Sequence, residues 1–362
     1  MGPEVNYRSW REQQVACRLL EFYDANVRPY GSNRTQEYGG PVFVYTSLRI
    51  SSLDSVSDAE MQFKSQFRFH QKWFDQRLAF DKMEFREFDY IDLALDQRIW
   101  NPDTFFQNEK SGHIHLLDRP NYYTRIRSDG LVSYDKRLTM AFSCPMDLLS
   151  YPHDTQTCRM DFASYAYTTK DIEYVWDMDP VVVPATATRS FPKFFLKSVI
   201  NSSCTSKTNT GTYSCLRVEI VLQRVFSYFL LQLYIPSIML VLVSYVSYWI
   251  DWRASPARVP LSIITLLTMI TQSHAINSNL PPVNYTKAID VWISGCVVFI
   301  FGSLVEYAIV NYTGLNEERQ HLKKTLANYH ELQAADAQFL VPDDPPDPAQ
   351  SNTVSPVRDR CW

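Results

Sequence analysis

Between Val259 and Thr286 the chain carries no Asp, Glu, Lys or Arg, yet Ser262, Thr265, Thr268, Thr271, Gln272, Ser273 and His274 are spread through this largely apolar stretch. About 20 apolar residues suffice to cross a bilayer. A helix facing lipid on all sides would gain little from so many hydroxyls. Steps of three and four put Pro256, Pro260, Ile264, Leu267, Thr271 and His274 on one stripe. That stripe reads as the wall of a wet pore, with Ile264 and Leu267 as an apolar constriction that gates by dewetting. The same residues also suit a helix buried among others, with Ser and Thr as interhelical hydrogen bonders. Pro256-Ala257-Arg258 opens the helix; Pro256 and Pro260 are expected before and in its first turn, where a missing N–H costs little. In a ring of identical subunits Arg258 would repeat around one mouth and favour anions. Leu280-Pro281-Pro282-Val283 ends the helix. The chemistry expected is ion passage rather than catalysis, since the chain has no phosphate loop, no H-E-x-x-H and no G-x-S-x-G.

Other residues suited to chemistry lie in the first two thirds. Of the seven cysteines, two short-range pairs suggest themselves, Cys144 with Cys158 and Cys204 with Cys215. Sequence alone leaves the connectivity open. Neither pair has the spacing of a zinc site, and an oxidising compartment suits them better. His113 and His115 would share a strand face, but two ligands make a weak metal site, so no metal and no cofactor is expected. Asn33 and Asn201 open glycosylation sequons.

These residues need elements to hold them. With 362 residues, two or more domains are expected, and a net charge of −4 argues against a nucleic-acid partner. Met1–Arg18 lacks the apolar core of a secretory leader. Trp10–Tyr23 has helical spacing. From Pro41 to Val225 short alternating runs dominate, clearest at Val42–Leu48, Met61–Phe69, Tyr122–Arg127, Leu138–Phe142, Thr157–Phe162 and Ser214–Leu222, which predicts a β-sandwich. Three spans follow, at about 226–250, 257–279 and 288–312. Pro236 is expected to kink the first, and Tyr245, Tyr248, Trp249 and Trp252 form an interfacial belt beyond it. Asp290 and Glu306 sit near the ends of the third. Leu315–Ala335 suits an amphipathic helix, and Leu340–Trp362 reads as disordered.

Several stretches then carry a family resemblance. Trp73-Phe74-Asp75-Gln76-Arg77-Leu78 fits W-x-D-x-R-L, and Trp100-Asn101-Pro102-Asp103 fits W-x-P-D. Thirteen residues separate Cys144 from Cys158, and the pore stretch runs on through Tyr285 to Trp292. Over about residues 18–312 the chain resembles the Cys-loop receptors, the pentameric ligand-gated ion channels. It is most similar to the anion-selective branch of glutamate-gated chloride channels and glycine receptors. The resemblance implies an extracellular all-β sandwich with a short N-terminal helix (1–224), a helical transmembrane domain (225–312) and a cytoplasmic tail (313–362). Three spans are present where the family has four. It implies a multi-pass plasma-membrane subunit, a homo- or hetero-pentamer with related subunits, chloride as the ion, a small neurotransmitter ligand, and contact with lipid. It also implies disulfides Cys144–Cys158 and Cys204–Cys215.

The resemblance further implies where ligand and gate lie. Ligand would sit between neighbouring subunits, one of which offers Ser164, Tyr165, Tyr167, Thr210 and Tyr213. The other offers Phe69 and His70, with His70 where the family has a carboxylate-binding arginine. Arg49 and Arg68 lie two residues before the family's arginine positions, on the same strand face. Asp135 stands where the family has a serine and would repel an anionic ligand unless Arg49 or Arg68 neutralises it. It would otherwise suit an amine, and with His70 it forms a titratable pair that suits protons. The tip Tyr151-Pro152-His153-Asp154, with Arg224, would push on the Asn279–Tyr285 linker holding Pro281 and Pro282. Pro260 and Ile264 replace hydroxyl or small residues and predict a less wettable pore, lined also by Ala257. The readings are a ligand-gated chloride channel subunit, an amine- or proton-gated one, or a non-conducting accessory subunit.

Overall fold

The computed structural model describes residues 3–31, 39–81, 88–184 and 193–339. Asn33, Cys361 and the Leu340–Trp362 tail lie outside the described residues. Helix α1 (Pro3–Leu20) starts earlier than the spacing of Trp10–Tyr23 suggests. It buries Val15, Ala16 and Leu19 against the sandwich.

The first sheet contains β1 (Val42–Ser57), β2 (Gln62–Phe74), β3 (Tyr90–Asp92), β5 (Glu109–Ile114), β6 (Tyr122–Arg127), β7 (Leu131–Ser143) and β9 (Ile172–Val182). Its order is β3-β6-β7-β2-β1-β9, with β5 also on β7. The second contains β4 (Thr104–Phe106), β8 (Thr155–Ser164), β10 (Phe194–Ser203) and β13 (Cys215–Arg224), in the order β10-β13-β8-β4. A separate hairpin pairs β11 (Ser206–Thr208) with β12 (Gly211–Tyr213). Strand β2 alternates buried and more exposed side chains along nearly its whole length, as a half-buried strand must. Phe63, Phe67, Phe69 and Trp73 therefore point inward, and Phe106, Phe142 and Phe162 meet the phenylalanines mostly edge-on. The expected strands are present: Tyr122–Arg127 has the expected bounds, while the others extend beyond theirs at one end or both, because cross-strand pairing continues past the alternating run into polar segments.

The W-x-D-x-R-L run ties α1 to this sandwich. Asp75 caps the turn Gln76–Leu78 by accepting from the Arg77 backbone N–H at 3.0 Å and from the Arg77 side chain at 2.9 and 2.7 Å. The Tyr23 hydroxyl donates to Asp75 at 2.8 Å and accepts from the Trp100 backbone N–H at 3.1 Å. Burial, then the Asp75 charge, pushes that hydroxyl's pKa up.

Strand β13 ends at Arg224, and the first span, α2 (Phe226–Trp249), begins two residues later. Pro236 does not interrupt a regular α-helix. A π-helical turn, Leu230–Tyr234, precedes it, and Pro236 stands in the first turn of the α-helical segment that follows, the place in a span where a proline is best accommodated. The second span is α3 (Ser255–Asn277). It starts two residues before the expected 257, which places Pro260 inside the helix rather than in its first turn. The third, α4 (Ala288–Phe339), is one unbroken helix of 52 residues. The third span and the helix expected at Leu315–Ala335 are continuous, because no Pro interrupts the helical ladder between them. Gly314 lets the Trp252 ring lie against α4, since an added Cβ would stand 3.0 Å from it.

Candidate functional site

Three places carry the candidate residues: the outer face of the first sheet, the loops at the β4–β8 edge of the second, and the column from the Cys144–Cys158 loop down through α3.

On the first sheet, Arg49 lies opposite Arg68, and Arg68 opposite Arg137. Directly opposed residues in antiparallel strands point to the same side. One step along, His70 lies opposite Asp135. The Arg68 Nε donates to Asp135 Oδ1 at 3.2 Å, and the His70 Nδ1 stands 3.5 Å from Asp135 Oδ2. Asp135 is thus already engaged, and Arg68 supplies the neutralisation its position demands. Neither Arg49 nor Arg137 has an ion pair within the described residues. Phe69 points the other way: it is fully buried among Phe106 and Phe162, so it packs the core instead of lining this face.

The second sheet's edge presents the aromatics. Ser164 is buried, donates to Asp103 Oδ1 at 2.6 Å and accepts from the Tyr167 N–H at 2.9 Å. Asp103 also accepts from the Ala166 N–H at 2.6 Å. Ser164 is therefore a brace for the loop, not a surface group. The brace leaves Tyr165 76% exposed, its ring edge against Phe105, while Tyr167 packs on Trp100. The disulfide Cys204–Cys215 closes the hairpin loop, within which the Thr210 and Tyr213 hydroxyls lie 3.0 Å apart. The Thr169 N–H donates to the Thr212 carbonyl at 2.9 Å, joining this loop to that of Tyr165. Asp103 and Phe105 were not expected in these roles; the W-x-P-D motif contained Asp103 without saying what it held. Asn201 is exposed on β10. His113 and His115 have rings 5.5 Å apart, but His115 bonds Gln66 and Thr139, and no group of three metal-binding side chains forms among the described residues.

At the base, Arg224 is fully buried. It donates to Asp154 at 2.6 and 3.1 Å and to Asp58 at 2.8 and 2.9 Å. The Tyr151 and Phe194 rings flank it at 4.6 and 4.4 Å. Burial alone would lower its pKa; the bonds to Asp58 and Asp154 overcome that and raise it. Asp58 carries no motif, and only the fold brings it here. The Cys144–Cys158 loop reaches the membrane domain through its backbone. The Leu148 N–H donates to the Tyr285 hydroxyl at 2.9 Å, while the Leu149 and Tyr151 carbonyls accept from Ala288 and Ile289 at 2.9 and 3.1 Å. Pro152 is buried, and His153 stacks on Phe226 at 4.5 Å. These bonds fall on the end of the linker and the start of α4. Pro281 is half-buried and Pro282 exposed just before them.

Along α3, Pro256, Ala257, Pro260, Ile264, Leu267, Thr271 and His274 are all exposed in the single chain. Arg258, Ser262, Thr265 and Met269 form the opposite, buried face. Arg258 is therefore not on the exposed stripe. Its Nη2 donates to Glu306 on α4 at 3.2 Å, and its guanidinium lies 4.9 Å over the Tyr307 ring. The reason is rotational: two residues on from Pro256 is about 200° around a helix. Several hydroxyls bond within α3, Thr265 to Leu261 and Thr268 to Ile264, so they need no water.

Comparison with known proteins agrees with this division. Residues 12–232 match the neurotransmitter-gated ion-channel ligand binding domain, and residues 233–357 the neurotransmitter-gated ion-channel transmembrane region. The chain is 44% identical over 338 residues to a glutamate-gated chloride channel of Drosophila melanogaster, covering 92% of this chain and 73% of that protein. It is 42% identical over 321 residues to a glutamate-gated chloride channel subunit beta of Haemonchus contortus, covering 88% and 74%. Among the described residues three helices are long and apolar enough to cross a membrane, and such channels assemble from related subunits with the sandwich outside the cell. The chain belongs to the neurotransmitter-gated ion-channel family, as a multi-pass subunit whose sandwich is the ligand-binding domain.

Proposed function

We propose that the chain is a subunit of a pentameric chloride channel opened by a small amino acid bearing a free carboxylate, with glutamate the first candidate. The observation that carries this is the row Arg49–Arg68–Arg137 across three adjacent strands. Three arginines against the single carboxylate of Asp135 leave two guanidinium charges unmatched, 3 − 1 = 2. Arginine forks match carboxylates two bonds at a time. The exposed Tyr165 and the Thr210–Tyr213 pair of the neighbouring subunit would close on the ammonium group by cation–π attraction. The amine reading loses its main support, because the carboxylate that would attract an amine is engaged by Arg68.

Whole-cell current during a panel of glutamate, glycine, amines and pH steps, with the chain alone and with a related subunit, tests the reading. Glutamate current whose reversal follows external chloride is expected, and Arg68→Gln should raise the half-maximal concentration at least about tenfold. Current from amines alone, or a reversal indifferent to chloride, overturns it.

A further inference from the structure

A cavity of about 320 Å³ opens between the segment Leu93–Asn101 and the β6–β7 hairpin. Leu93 and Ile99 give it an apolar side; Arg98, Asn101, Tyr122 and Tyr134 give it hydrogen-bonding groups, and among the described residues no Asp or Glu lines it. Arg98 has neither an ion pair nor a hydrogen bond among the described residues, and the Tyr122 and Tyr134 hydroxyls are likewise unspent. The two tyrosine rings stand 6.2 Å apart.

Behind this wall stands Lys136. It pairs across the sheet with Phe69 on one side and Tyr122 on the other. Its ammonium lies 5.4 Å from the Phe69 ring and 5.7 Å from the Tyr134 ring, with no carboxylate in contact. Burial holds it below the ordinary lysine range, opposed only by the distant charge of Glu109. An unpaired cation in such surroundings is costly, and an anion nearby relieves the cost. Nearby acids do not serve: Asp135 is paired with Arg68 on the other face of the sheet, Asp92 is paired with Arg125, and Asp96 is exposed.

We infer that this cavity binds a small organic carboxylate with a flat apolar body, its carboxylate on Arg98 and the tyrosine hydroxyls and its body against Leu93 and Ile99. The Arg98 fork takes the carboxylate at the rim, and the Lys136 charge deepens the potential inside. A flat ring meets Tyr122 and Tyr134 at favourable aromatic geometry. The site is separate from the Arg49–Arg68–Arg137 face, because Tyr122 and Lys136 project to the opposite side of the sheet from Asp135. An occupant would adjoin Trp100, against which Tyr167 packs.

The test uses purified full chain and thermal unfolding, with benzoate as probe and benzamide as its neutral counterpart. Benzoate should raise the midpoint in a saturable way and benzamide should not. Arg98→Gln should weaken benzoate at least about tenfold, while Arg68→Gln leaves it unchanged. Should Arg98→Gln not fold, Tyr134→Phe keeps the ring, removes one donor and should weaken benzoate several-fold. No stabilisation of the unmodified chain overturns the inference. So does stabilisation that survives both cavity variants, or that is lost in Arg68→Gln, which would place benzoate on the agonist face. Binding is read without current, so failure here is distinct from failure of the channel reading.

Discussion

Two buried arginines stand at opposite ends of the membrane domain, and they are bonded very differently. Arg224 at the outer end makes four hydrogen bonds to two carboxylates and lies between aromatic rings. Among the described residues, Arg258 at the inner end has one ion pair, to a carboxylate about one third exposed, and its Nε has no partner; nor has the hydroxyl of Tyr307 beside it. A fully satisfied charge in a low-dielectric site fixes its neighbours, whereas a half-satisfied one leaves alternatives open. Arg224 joins three separate parts of the chain: the turn after β1, the disulfide loop and the last strand. It works as a lock at the base of the sandwich, where the chain enters the first span. Arg258 joins only two helices and leaves the inner mouth free to rearrange.

Breaking the lock should have the largest effect. Arg224→Gln strands two buried carboxylates, which costs about 3–5 kcal/mol, and surface labelling should show little folded subunit. Next comes Asp154→Asn, which leaves Arg224 with Asp58; a loss of about 2–3 kcal/mol is expected as a lower unfolding midpoint. Asp58→Asn should match it, and a much smaller effect from either would break the picture of a shared lock. Glu306→Gln should cost only about 1 kcal/mol, given its exposure. It should raise unitary chloride conductance, because the Arg258 charge near the mouth is no longer offset; unchanged conductance would mean the pair does not reach the ion path. Smallest is Ile264→Thr on the exposed stripe, within about 0.5 kcal/mol in stability but with higher conductance as the constriction wets.

The contrast also marks what the sequence could tell. The exposed stripe of α3 was legible because a helical period needs only local spacing, and the sandwich because short runs such as β2 alternate. Arg258 was misplaced because a motif gives a residue's neighbours in the chain and not its rotation about the helix relative to α4. Phe69 was misplaced for the same reason, one residue along a strand from the outward-facing Arg68 and His70. Asp58 was invisible: nothing in Val56-Ser57-Asp58-Ala59 distinguishes an acid that will meet an arginine 166 positions away. The state of Asp135 turned on whether Arg68 could reach it, which only the register of β2 against β7 decides.

The unbroken α4 has a mechanical consequence. A 52-residue helix is a rod of about 78 Å, roughly 30 Å of which spans the bilayer. Its outer end is held by the Tyr151 carbonyl through Ile289. A tilt of about 5° there, with no bending, would sweep the far tip by roughly 7 Å over that length. The rod is thus a lever: a displacement too small to notice where the loop touches it becomes one large enough to read on the cytoplasmic side.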